Sequence, residues 1–231
     1  MAKKLKGTKA HQRYYVEVGG EQVLVPGVTT VLNLHGGNKQ VLVNWANKLG
    51  LEGVDATEYS NRAKKIGSCA HHLIECDMLG TESDVSLYAP YEVEIARNAL
   101  ESYRAWRESD DVTPVFTEKG FSHGRLFYGG TVDMYGEFGD KLVLIDFKTA
   151  TDIYPEHRYQ VAAYWEMLSH HGLIVDEAWI LSFPKENGNT FKKVTVQAEE
   201  KDILFEGFLG LLSLYRTERK LKEFQKGGTS K

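Results

Sequence analysis

Two aspartates and a lysine carry the strongest chemical signal in this 231-residue chain. Asp133 closes the run Tyr128-Gly129-Gly130-Thr131-Val132-Asp133, and Asp146 opens Asp146-Phe147-Lys148-Thr149. Gly139-Asp140 between the two runs has the composition of a tight hairpin turn. With that turn, facing residues have numbers summing to about 279, so Asp133 and Asp146 lie directly opposite, or one step off if the turn is longer. Cross-strand neighbours on one face have Cβ atoms about 5 Å apart, a separation that suits two carboxylates sharing one divalent ion. Lys148, two residues beyond Asp146, projects on the same face of its strand. Two carboxylates that close repel each other; a hard cation such as Mg²⁺ or Mn²⁺ removes the penalty. A lysine beside the metal can position or deprotonate an attacking water and stabilise charge on a phosphoryl centre. The alternative is a surface hairpin with solvated charges. It is weakened by the apolar neighbours Val132, Met134, Val143, Leu144, Ile145 and Phe147, among which charge is expensive.

Helical segments supply further candidates. His71 and Glu75 form an i, i+4 pair four residues after Gly67. His72 points about 100° away from His71 around a helix, so only one of the two can face a common site. Alone, a helical histidine reads more often as a packed or solvated residue than as a ligand, but a neutral imidazole can complete a carboxylate site for Mn²⁺ or Mg²⁺. Gln160 and Tyr164 share one helix face just after the second strand of the hairpin; alone, they read as a buried tyrosine with a polar neighbour.

These residues need a scaffold of strands and helices, and the periodicity provides one. Tyr14–Val18, Gly19-Gly20 and Gln22–Val25 read as a hairpin. Thr29 or Thr30 can cap a short helix, and Gln40–Leu49 is a second helical stretch. Thr57–Leu79 and Tyr88–Ser109 follow with apolar residues at helical spacing. Val112–Ser122, Arg125–Phe138 and Lys141–Lys148 are strand-like, and Glu156–Leu168 is helical. Glu177–Pro184 and Thr190–Val196 read as strands joined at Glu186-Asn187-Gly188-Asn189, and Glu199–Phe224 closes the chain as a long helix. The expected fold is α/β, a central mixed β-sheet flanked by helices, with Tyr88–Ser109 and Glu156–Leu168 packed against the sheet. The simplest organisation is one domain: an N-terminal hairpin and helical lobe (1–55), a core (56–215) and a basic tail (216–231).

Composition narrows the classes. The chain is 42% hydrophobic and 26% charged, with no stretch resembling a membrane span or a signal peptide, so a cytoplasmic protein is expected. Net charge is −4, which argues against indiscriminate coating of nucleic acid. Five basic residues (Lys3, Lys4, Lys6, Lys9, Arg13) precede residue 14, and six (Arg216, Arg219, Lys220, Lys222, Lys226, Lys231) follow residue 215. Basic ends around an acidic body fit phosphate contacts or solubilising tails equally well. Cys69 and Cys76 lie two turns apart on one helix, too far for a disulfide, and two cysteines cannot hold a four-cysteine iron–sulfur cluster.

In order along the chain, Gly67 to His71, Gly130-Thr131-Val132-Asp133, Asp146-Phe147-Lys148-Thr149 and Gln160 to Tyr164 resemble the motifs of the RecB-like branch of PD-(D/E)XK nucleases. The chain looks most like the small phage and mitochondrial-genome-maintenance-type exonucleases of that branch. Their opening resembles the stretch from Tyr14-Tyr15-Val16 through Val25–Leu32 to Trp45-Ala46, and the whole resemblance spans roughly residues 14–185. It implies a restriction-endonuclease-like core and metal-dependent hydrolysis of DNA, exonucleolytic on a strand with a free end. A structure-selective endonuclease of the same fold is one alternative; a silent DNA-binding or recombination accessory module is the other. The resemblance implies that His71, Asp133, Asp146 and the carbonyl of Phe147 bind Mg²⁺ or Mn²⁺. It implies that Lys148 orients the water and that Gln160 and Tyr164 brace the site. Glu118 matches an acidic position of the family on the preceding strand. Val132 stands where the family name has proline, and the iron–sulfur cysteines of some relatives are absent, so no cluster is expected. DNA is the expected partner, without a membrane, in the cytoplasm or, for a phage-encoded chain, in the host's. Oligomeric state, polarity of digestion and strand preference are not encoded in these motifs.

Overall fold

A computed structural model describes residues 5–6, 12–37, 39–185 and 190–227. The turn expected at Glu186–Asn189, Lys231 and the N-terminal Lys3, Lys4 and Lys9 lie outside the described residues. The elements are β1 (Leu5–Lys6), β2 (Tyr14–Val18), β3 (Glu21–Val25), α1 (Val28–Leu32), α2 (Lys39–Leu51), α3 (Ala56–Leu79), β4 (Ser83–Asp84), α4 (Pro90–Ser109), β5 (Thr113–His123), β6 (Tyr128–Phe138), β7 (Lys141–Lys148), α5 (Pro155–His170), β8 (Glu177–Ser182), β9 (Lys192–Gln197) and α6 (Ala198–Gly227).

The central sheet has the order β5-β6-β7-β8-β9. Pairing is antiparallel except between β7 and β8, which are parallel and joined through α5, as a parallel pair requires a crossover. The fold is therefore the expected α/β architecture, a mixed sheet flanked by helices. Gly139, at φ +61°, turns β6 into β7 in two residues and fixes the register Met134↔Ile145. On the other side of β6, the turn begins at Gly124 and Phe127 takes φ +50°, so the strand starts at Tyr128 rather than Arg125.

Alternation along β7 serves two cores. Leu144 belongs to one, with Val161, Tyr164 and Leu168 of α5, Phe208 and Leu212 of α6, and Val28 and Val31 of α1. Val143, Ile145 and Phe147 belong to the other, with Leu73 and Ile74 of α3 and Tyr103 and Trp106 of α4. Helix starts follow local chemistry. The Asp55 carboxylate accepts from Glu58 N at 2.8 Å and starts α3. Pro90 occupies the first turn of α4, where Glu92 accepts from Ala89 N at 2.8 Å. For α1 the cap position is Gly27, without a side-chain bond, rather than Thr29 or Thr30. Gly27 pairs with Gly129 in a parallel bridge, and that contact between two backbones sets where the helix begins. Both cysteines are free and buried, and burial pushes the Cys69 thiol up to about 11.

Candidate active site

Regular alternation ends where the candidate residues begin. The β6–β7 ladder runs from Phe138↔Lys141 to Met134↔Ile145 and stops. Beyond it, Phe147 N donates to Asp133 Oδ2 at 2.8 Å, so a side chain takes the place of a strand carbonyl. Val132 packs in the α5-side core while Met134 packs in the α4-side core, although residues two apart in a regular strand share a face. Asp133 is the point of change. The neighbouring strand is irregular there too, since Glu118 takes φ +51° between the pairs Thr117↔Met134 and Lys119↔Val132. A non-glycine residue in that conformation costs of order 1–3 kcal/mol, so surrounding contacts must impose it.

Asp146 is 1% exposed. Lys148 Nζ lies 2.5 Å from its Oδ2 and donates to Gln160 Oε1 at 3.0 Å, and Gln160 Nε2 donates to Tyr164 OH at 3.0 Å. These four residues form one chain from β7 to α5. Burial pushes the Asp146 carboxyl up to about 6, Lys148 pulls it down and Asp133 pushes it up. Burial, then Asp146 and Asp133, hold the Tyr164 hydroxyl well above the ordinary tyrosine range. His157, at the start of α5, is pushed down to about 4 by burial and by Lys148, and it is neutral at pH 7.

Glycines allow the close packing. A Cβ on Gly130 would stand 2.4 Å from the Tyr164 ring, and one on Gly129 would stand 2.4 Å from Tyr14 Cβ. A Cβ on Gly67 would meet Thr149 Oγ1 at 3.1 Å, so the α3 backbone passes against the Thr149 side chain just beyond β7. His71 follows one turn later and lines the same cleft as Asp133, Asp146, Phe147, Lys148, Gln160 and Tyr164. His72 is buried instead against Cys76, whose Sγ lies 3.8 Å from its ring nitrogens. Glu75 and Glu118 are half-buried and are not among the cleft's lining residues.

The cleft holds about 620 Å³ and has a second wall that motif reading did not single out. Thr29 and Thr30 of α1, Arg13 and Tyr14 at the start of β2, and Tyr215 and Arg219 of α6 complete it. The tyrosine and threonines lie within the N-terminal stretch that carries the family resemblance, and Arg219 was visible only as one charge of a basic tail. Thr131 Oγ1 donates to Gln12 Oε1 at 2.7 Å and lies 2.9 Å from Tyr14 OH, which ties this wall to the strand carrying Asp133.

The donor set suits a hard divalent cation: two carboxylates, an imidazole and the Phe147 carbonyl. Asp146 Oδ2 is buried with the Lys148 ammonium group, 2.5 Å away, as its one partner, so it retains lone pairs for a cation. Among the described residues, no three His, Cys, Asp or Glu side chains are gathered closely enough to hold a metal ion by themselves.

Fold and cleft together define an α/β protein with an acid–lysine–imidazole site at the ends of two sheet strands. No family model matches the chain, and no curated protein matches it. Solved structures do. The chain is similar to LHK-Exo in complex with dAMP at 15% identity over 70% of this chain and 83% of that one, with a TM-score of 0.43. It is also similar to an alkaline exonuclease (LHK-Exo) from Laribacter hongkongensis at 15% identity over 68% and 84%, with a TM-score of 0.34. Among the described residues no helix is long and apolar enough to cross a membrane.

Proposed function

We propose that this chain is a Mg²⁺- or Mn²⁺-dependent nuclease of the RecB-like PD-(D/E)XK type that hydrolyses DNA phosphodiester bonds from a free end. One observation carries the reading. A buried aspartate, a second aspartate, a lysine and a histidine from three elements line a single cleft next to arginines. Burying Asp146 is costly, and Lys148 alone does not restore an ordinary carboxylate. A structural role leaves that cost unexplained; a cation-binding role explains it.

His71, Asp133, Asp146 and the Phe147 carbonyl would hold the ion. When bound, it would supply a Lewis acid for the phosphate and a water of lowered pKa. Lys148 has three N–H donors, of which Asp146 and Gln160 engage two. The remaining donor can orient a nucleophilic water or meet charge developing on a phosphoryl oxygen. Gln160, fixed on Tyr164, holds the ammonium group in place, and neutral His157 adds no competing charge. Arg13 and Arg219 on the opposite wall suit the flanking phosphates of a strand.

The test is cleavage of end-labelled linear DNA and circular single-stranded DNA in Mg²⁺, in Mn²⁺ and in EDTA. Linear DNA is expected to be degraded in metal and spared in EDTA, with the circle intact. DNA that is bound but never cut in either metal sinks the enzyme reading in favour of an accessory module. Cleavage of the circle replaces the exonuclease by an endonuclease.

A further inference from the structure

A second groove, of about 670 Å³, opens beside the cleft between β2 and β5. Gln12, Arg13 and Tyr14 line both cavities, so the two adjoin around the residues that lead into β2. We propose that this groove is a binding track for a single strand of DNA running to or from the catalytic cleft, a proposal that rests on the nuclease reading.

Three features of the groove favour that ligand. The first is unpaired positive charge. Among the described residues, neither Arg13 nor Lys119 is paired with a carboxylate, and both line the groove. Lys119 Nζ lies 5.1 and 5.3 Å from the ring centroids of Phe116 and Phe121, which position the ammonium group without neutralising it. In a body of net negative charge, two cations facing each other across a groove whose one carboxylate is Glu17 mark a place for phosphates.

The second feature is aromatic surface. Tyr15 is 42% exposed, and the Phe121 ring lies against His171 at 5.3 Å. Rings beside backbone cations are the chemistry of single-strand binding, because unstacked bases offer faces that a duplex hides. The third is that both walls are held in place. Gly120 lacks the Cβ that would stand 2.8 Å from Gln12 Nε2, so β2 lies close against β5. At the far end, Gly124 N donates to His170 Nε2 at 3.2 Å, and His171 Nε2 lies 2.9 Å from the Ser122 carbonyl. From Gln12 to Glu17 the extended chain spans roughly 16 Å, long enough for several nucleotides.

The probe is a fluorescent oligothymidylate about twelve nucleotides long, bound in EDTA across about 50 to about 200 mM salt and followed by anisotropy. Lys119→Glu is expected to weaken binding about tenfold and to lower the salt slope by about 0.7 or more, the contribution of one single-strand phosphate contact. Lys119→Arg is expected to restore both. In Mg²⁺, the wild type is expected to cut the long oligomer at a lower KM than a tetramer, and Lys119→Glu to erase that difference. Wild-type affinity and slope in Lys119→Glu overturn the track, as does equal affinity for a blunt duplex. If the wild type cuts DNA and these results hold against the track, the track alone falls. If the wild type neither binds nor cuts, the nuclease reading falls with it.

Discussion

The two faces of β7 show what one strand can be made to do. Val143, Ile145 and Phe147 point into a dry core, where the Phe147 ring meets Tyr103, Trp106 and Phe183 at centroid distances of 5.7, 6.1 and 5.7 Å. Asp146 and Lys148 point the other way, into a cleft where their charges are nearly as buried as those rings. Neighbouring residues are thus under opposite demands. Phe147 stabilises the fold by its burial; Asp146 is buried against its own preference for water. The apolar face holds the backbone still so that the charged face can be placed. On the proposed function, stability and chemistry are divided between alternate residues of one strand.

The contrast is broken most easily from the apolar side. Phe147→Ala removes a fully buried ring from an aromatic cluster and is expected to cost about 3–5 kcal/mol of unfolding free energy. Urea denaturation measures it. A loss below about 1 kcal/mol would mean that the cluster can close over the gap and that the face is not the rigid support described.

From the charged side the sign reverses. Asp146→Asn removes a carboxyl that the fold prefers protonated, so in EDTA at pH 7 the variant is expected to be more stable by of order 1–3 kcal/mol, while losing cutting activity. The pH dependence follows from the direction of the shift. Raised from 3.8 to about 6, this group contributes stability that is fully present below the unfolded value and is lost as pH rises through the folded one. The stability difference between wild type and Asp146→Asn should therefore grow between about pH 4 and pH 6 and level off above. A variant less stable than wild type at pH 7 would mean that the Lys148 pair outweighs burial.

Much of this division was legible in the sequence, for physical reasons. Lys141–Lys148 has its expected bounds because a glycine turn starts it, and the register follows from that turn. Helical angle showed that only one of His71 and His72 could face the site, and the spacing from Gly67 in the family resemblance picked His71. What could not be read was the break in alternation at Asp133. It depends on Glu118 at positive φ in the next strand and on Phe147 N, and neither contact has a local signature. The arginine wall was hidden for a related reason. Arg219 reaches the cleft because α6 packs along α5, and charge counting along the chain cannot see that packing. Local rules place strands and faces; long-range contacts decide where the rules are broken.

The smallest effect is expected where the two faces meet. Helix α3 packs Leu73 and Ile74 into the aromatic core, yet its His71 lines the cleft. Gly67, one turn earlier, lies against Thr149, where a Cβ would stand only 3.1 Å from Oγ1. In Gly67→Ala the better helix propensity of alanine, up to about 1 kcal/mol, opposes the contact strain, so unfolding free energy is expected to change by less than about 1 kcal/mol. The strain is expected to be relieved by moving α3 a few tenths of an ångström from the Thr149 side chain, carrying His71 with it. Cutting is then expected to fall several-fold, with half-maximal activity needing more Mg²⁺, because the imidazole donor has shifted relative to two carboxylates that have not. A titration of activity against Mg²⁺ measures this. An unchanged curve would show that His71 is placed by something other than the seat of α3 on Thr149, and the apolar face would lose its role in positioning the charged one.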